Sequence, residues 1–151
     1  MAGMSSLFTR EFFEEVRERL TEEGIHCQWL HSYNMSSEDI RTVVRTFRSA
    51  FPYAALWVLN KNDFLLLGSS APIEVREETV RANFDLVSDD LLQVRIQDLY
   101  SMLSLFVLRD EDLDKFAGDA LLNTDDFPLL EFRSPRFMHA NTAGALSLIH
   151  I

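Results

Sequence analysis

The run from Leu7 to Tyr33, LFTREFFEEVRERLTEEGIHCQWLHSY, constrains the chain most, because it joins one amphipathic helix to one short apolar strand. Phe12, Phe13, Val16 and Leu20 recur at helical spacing, and Glu14, Glu15, Arg17, Glu18 and Arg19 fall on the other face. The Thr9 hydroxyl is placed to accept a bond from one of the first orphan amides. Gly24 follows the last helical turn, where a residue with positive φ is favoured. Ile25 to Leu30 is too short and too apolar for a second helix and predicts a central strand of a parallel sheet. Ligands of open α/β sheets gather beyond the carboxyl ends of the strands. Gln28, Trp29, His31 and Tyr33 are therefore the candidate binding residues, whereas His26 and Cys27, at mid-strand, read as buried structural residues.

The elements that follow carry their own punctuation. Ser36 with Asp39 three residues on has the spacing of a capping box. The helix it opens puts Ile40, Val43, Val44, Phe47 and Phe51 on one stripe; Arg41, Arg45 and Arg48 form a second row that reads as a solvated face. Pro52 ends this helix. Tyr53 to Leu59 and Phe64 to Leu67 are strand-like and flank the polar turn Asn60-Lys61-Asn62-Asp63, which predicts a hairpin. Beyond the Gly68–Pro72 loop the pattern turns helical: Ile73 to Asn83, Leu91 to Val107, and Glu111 to Ala117. Tyr100, Leu103, Phe106 and Val107 supply an apolar stripe, and Gly118 stops the last helix. Asn123 to Asp126 is turn-rich, and Pro128 to Phe132 reads as extended.

At 151 residues the chain can bury a real core, and 47% hydrophobic content with 12 Phe argues against disorder. A net charge of −10 repels a phosphate backbone, so no nucleic-acid partner is expected. The same charge suits a cationic ligand. One cysteine, Cys27, leaves no internal disulfide and fits a reducing, cytoplasmic setting. No apolar run is long enough to span a bilayer. His26, Cys27 and His31 have no zinc-ligand spacing, so no metal is expected.

Two stretches carry a family resemblance: SLFTREFFEEVRERLTEEGIHCQWLH and, near the end, NTDDFPLLEFRSPR. They resemble the polyamine-synthase domain of the spermidine synthase family, in its bacterial spermidine-synthase-like branch, some members of which are fused to membrane-transporter segments. The matching positions are Leu7, Phe8, Thr9, Phe12, Phe13, Gly24 and Gln28, with Glu23 where the family has a first Gly. The resemblance implies an α/β fold: the C-terminal half of a Rossmann-like, methyltransferase-type sheet over residues 1–70, built as strand, helix, strand and hairpin return. A small helical tail with the closing motif would occupy 71–136, and 137–151 would be a further tail. Within it, Leu146 to Ile151 (LSLIHI) resembles a translated sequencing adapter and is set aside.

The activity implied is aminopropyl transfer from decarboxylated S-adenosylmethionine to a polyamine acceptor. The alternatives are a methyltransferase-type domain using S-adenosylmethionine, or a non-catalytic regulatory domain attached to a membrane segment. Leu7 matches a position lining the adenine pocket, and Gln28 one at the amine end. The family's catalytic carboxylate and glycine-rich loop would lie upstream of Met1, so no catalytic residue is assigned here and the isolated chain is expected to be inactive. A sheet cut in half would also expose an edge and favour a homo-oligomer. Relatives often place a Glu soon after this Gln, where Trp29, Leu30 and His31 stand instead.

Overall fold

The structure is a computed structural model that describes residues 5–32 and 35–137. Tyr33, the last residues of the expected tail and the adapter-like Leu146–Ile151 lie outside the described residues. A 3₁₀ turn over Ser5–Phe8 leads to helix α1, Arg10–Arg19, where the Thr9 hydroxyl accepts from the Phe12 N–H at 3.3 Å. The anticipated positive φ at Gly24 is not found; among the described residues Gly118 is the one glycine with positive φ. Instead α1 ends at an extended Leu20, and Gly24 packs its Cα against Leu20 and the Thr21 backbone, where an added Cβ would lie 3.0 Å from both. Close approach rather than handedness therefore sets the glycine here.

Strand β1, Ile25–His31, is followed by α2, Ser37–Ala50, whose start is the anticipated capping box. The Ser36 hydroxyl accepts from the Asp39 N–H at 3.1 Å, and the Asp39 carboxylate accepts from the Ser36 N–H at 2.9 Å. Then come β2, Tyr53–Val58, and β3, Asp63–Ser69. Helices α3, Glu77–Gln93, and α4, Leu99–Leu103, precede β4, Phe106–Arg109, which runs directly into α5, Asp110–Ala117; α6 is Leu129–Phe137.

The four strands form one antiparallel sheet in the order β1-β3-β2-β4. The expectation of β1 as a central parallel strand is thus corrected: β3 inserts between β1 and β2, so β1 pairs antiparallel on one side and is an edge among the described residues. Because both neighbours run antiparallel to β3, β1 and β2 point the same way, and their carboxyl ends lie at one end of the sheet.

One sheet face is covered by helices. Leu30, Phe64, Leu66, Ala54, Leu56 and Leu108 meet Phe13 of α1, Val43, Val44 and Phe47 of α2, and Leu113 and Ala117 of α5. Phe13, Phe47, Phe51 and Phe64 are fully buried, each stabilising by about 1.5–3 kcal/mol relative to exposure. The other face carries Trp29, Ile25 and Phe106, exposed by 49%, 50% and 40%. That asymmetry follows from the pleat, which sends alternate residues to opposite faces.

Three further readings change. The stripe read as one helix from Leu91 to Val107 breaks into the end of α3, α4 and β4, because β2 offers a free edge with which Phe106 and Leu108 pair. Pro128 to Phe132 is not extended: Pro128 precedes the first turn of α6, where its missing N–H costs nothing. The arginine row is a solvated face only at Arg45, which is exposed; Arg41 and Arg48 are partly buried. Arg48 makes a bidentate pair with Asp114 at 3.0 and 2.9 Å and also donates to the carbonyls of Phe51 and Pro52. Arg41 sits over the Phe116 ring at 6.0 Å. Arg41 and Arg48 are thus part of the seat on which α5 docks.

Truncating Arg48 to Ala is expected to cost about 1–3 kcal/mol, less than a fully buried pair because the Asp114 side chain is 41% exposed. The Arg48 bond holds the Asp114 carboxyl below its ordinary 3.8. The linked stability is therefore full above that value and disappears as pH falls through the lower folded value. Urea melts of both proteins at neutral and acid pH check both statements: acid should narrow the gap between them.

Candidate functional site

At the shared carboxyl end of β1 and β2 the chain gathers Trp29, His31 and the loop Asn60–Asp63. Trp29 and His31 lie on the open face two residues apart, their ring centroids 5.2 Å from each other. His31 faces Asp63 across the β1–β3 register, which puts imidazole and carboxylate on one side of the sheet. The loop is held by an Asx turn: the Asn60 side-chain Oδ1 accepts from the N–H groups of Asn62 and Asp63 at 2.9 and 3.1 Å, and Asn60 Nδ2 donates to the Asp63 carboxylate at 2.8 Å. Ser32 donates its N–H to the Asn62 carbonyl at 2.7 Å, tying the end of β1 to this loop. A cationic or hydrogen-bonding ligand would find an aromatic wall and one carboxylate here.

The candidate residues are not all brought together. Gln28 pairs in register with Leu66, a core-facing residue, so it lies on the helical side while Trp29 and His31 lie on the open side. Its amide nitrogen donates to the Trp29 carbonyl at 3.0 Å, the ordinary behaviour of a polar residue near a strand end. Leu7 is 42% exposed on the 3₁₀ turn, which packs against α1 and α2 within the helical layer. Tyr33 is outside the described residues. Asp63 and Asn60 are the residues that sequence reasoning passed over: they read as a hairpin turn, and only the register puts Asp63 opposite His31.

The two mid-strand residues behave differently from each other. His26 is partly buried among Phe12, Phe13, Phe47 and Phe51. Cys27 is exposed, contrary to the buried reading, because its odd position points to the open face. Partial desolvation nevertheless pushes its thiol above the ordinary 9.0, which keeps it protonated and a poor nucleophile.

The open face also holds a cleft lined by Tyr53, Trp57, Leu67, Ile73, Val75 and Phe106, beside the Arg109–Asp110 pair. Its internal volume is about 80 Å³, below the ~300–1,000 Å³ of ordinary ligand pockets. No group of three or more His, Cys, Asp or Glu suited to a metal occurs among the described residues. No described helix is long and apolar enough to cross a membrane. No protein-family model matches the chain, and no curated protein matches it.

Proposed function

We propose that this chain is the closing part of a spermidine-synthase-like transferase, supplying one wall of the pocket in which a polyamine acceptor meets decarboxylated S-adenosylmethionine. The observation that carries this reading is the order β1-β3-β2, with an antiparallel strand between two strands of like direction joined by a helix. Methyltransferase-type sheets of the kind the sequence resembles end this way. The edge of β1, unpaired among the described residues, and the apolar face beside it are where the rest of such a sheet and its second helical layer would pack. On this reading the chemistry belongs to residues outside the chain, and the chain's own part is to bind and orient. Apolar contact from Leu7 would serve the nucleoside, and Gln28 would serve the amine end.

Direct displacement at the carbon beside a sulfonium needs the amine held unprotonated in near-attack geometry. Gln28 offers both a donor and an acceptor for that purpose. In the complete parent protein, Gln28→Ala should remove one hydrogen bond to the carboxylate that positions the amine, about 1.5–3 kcal/mol, which lowers kcat/KM roughly ten- to hundredfold. Little change in melting temperature is expected, since Gln28 opens no core cavity. Steady-state kinetics of aminopropyl transfer, with thermal melts alongside, test both parts. An unchanged kcat/KM, or a collapse in stability, would make Gln28 structural and remove the site assignment.

A second reading rests on one specific feature. Where relatives often put a carboxylate after the Gln, this chain puts the Trp29–His31 pair, and an aromatic wall suits a larger or less charged acceptor than a diamine. A methyltransferase-type reaction with intact S-adenosylmethionine would then replace aminopropyl transfer. Supplying the parent protein with either sulfonium donor and following which group moves separates the two.

A further inference from the structure

The aromatic cluster beneath α1 has a titratable member. The His26 ring lies nearly parallel to the rings of Phe47 and Phe51, with centroids 6.1 and 5.7 Å away and interplanar angles of 24° and 19°. Phe12 and Phe13 of α1 close on it at 6.5 and 6.3 Å. Its strand partner is Gly68, whose missing side chain leaves the Phe47 and Phe51 rings room to enter. His26 Nε2 is shielded from solvent and has no hydrogen-bond partner among the described residues. A neutral imidazole tolerates this. An imidazolium, which must satisfy two N–H donors, does not.

We propose that His26 is an acid-sensitive latch for α1: neutral, it completes the ring cluster that seats Phe12 and Phe13; protonated, it must leave the cluster, and α1 loosens from the sheet.

The surroundings offer the charge little compensation. From α1 the ring meets Phe12 and Phe13; from α2, Phe47 and Phe51; from β3, Gly68; and along β1, the Gln28 amide. Arg17 of α1 bonds across to the Ala50 carbonyl of α2, and Arg48 of α2 bonds to the carbonyls of Phe51 and Pro52 at the end of its own helix. Both carry the sign of the new charge. No carboxylate lies within ion-pair distance of the ring among the described residues. Stacked phenyl faces attract a cation, but Phe ranks below Trp in this interaction. Burial acts most strongly, holding the imidazole below its ordinary 6.5, with the Gln28 amide acting the other way. The unfolded chain therefore takes up its proton first. The stability contributed by neutral His26 is full above pH 6.5 and is lost as pH falls from there toward the lower folded value.

Amide hydrogen exchange of the whole chain at pH 7.5 and 5.0, corrected for intrinsic rates, reads the latch directly. Protection across α1 should fall at pH 5.0 relative to α5, and His26→Phe, which cannot ionise, should abolish that difference. Should His26→Phe fold poorly, His26→Gln serves in its place, and NMR titration of the wild-type His26 ring stands independently of either. An α1 that loses no protection at pH 5.0, an equal pH response in wild type and variant, or a His26 that titrates at or above 6.5 would each overturn the proposal.

Discussion

Replacing Asn123 by Ala is expected to destabilise the chain by about 2–6 kcal/mol, enough to unfold a domain of ordinary marginal stability. Asn123 is fully buried and joins segments far apart in the chain. Its side-chain nitrogen donates to the Phe8 carbonyl at 3.0 Å, and its side-chain oxygen accepts from the Leu130 N–H at 3.2 Å. Its backbone N–H donates to the Thr46 hydroxyl at 2.9 Å, and its carbonyl accepts from the Arg10 N–H at 2.9 Å. The 3₁₀ turn, α1, α2 and α6 thus meet on one residue. Alanine keeps the backbone bonds but leaves the Phe8 carbonyl and the Leu130 N–H buried and deprived of Asn123, at about 1–3 kcal/mol each. Thr46→Val gives a graded comparison: it strips the partner from the Asn123 N–H and removes the hydroxyl's own bond to the Thr42 carbonyl, 2.7 Å, and should cost about 1–3 kcal/mol. Chemical denaturation of the three proteins decides the order. An Asn123→Ala variant as stable as Thr46→Val would mean that water replaces the lost amide.

What the sequence made legible was local. Thr9, the Ser36–Asp39 box and Pro52 each bond to, or block, the backbone within a few residues, so their signals survive whatever the chain does elsewhere. The stripe of Val43, Val44 and Phe47 predicted the buried face of α2 for the same reason. What was not legible depends on partners distant in sequence. Arg48 looks like a solvated arginine until α5 brings Asp114 to it from 66 positions away. Phe106 to Arg109 fits a helical stripe as well as a strand, and only the free edge of β2 chooses. Asn123 sits in a turn-rich run in which nothing announces burial. At the candidate site, alternation along β1 already divided Gln28 from Trp29 and His31, because neighbouring positions in a strand cannot share a face. Treating all three as one pocket wall neglected the pleat.

The second large effect concerns the contact between Phe47 and Gly68, and it is expected to be non-additive. Phe47 is fully buried and touches Phe13, His26 and Phe51 at centroid distances of 5.1, 6.1 and 4.7 Å. Phe47→Ala should cost about 3–5 kcal/mol through lost transfer energy and the cavity left behind. Gly68→Ala fails for the opposite reason: its Cβ would lie 2.6 Å from Phe47 Cζ and from Phe51 Cγ. Two rings in a packed core cannot both retreat without disturbing Phe13, so about 1–3 kcal/mol is expected. In the double variant the new methyl enters space that the Phe47 ring has vacated, which removes one clash and fills part of the cavity. The combined loss should therefore fall short of the summed single losses by about 0.5–3 kcal/mol. Thermal and urea melts of the four proteins close the cycle. Strict additivity would show that Phe51 alone sets the clash, and that the room made by Gly68 belongs to that ring and not to Phe47.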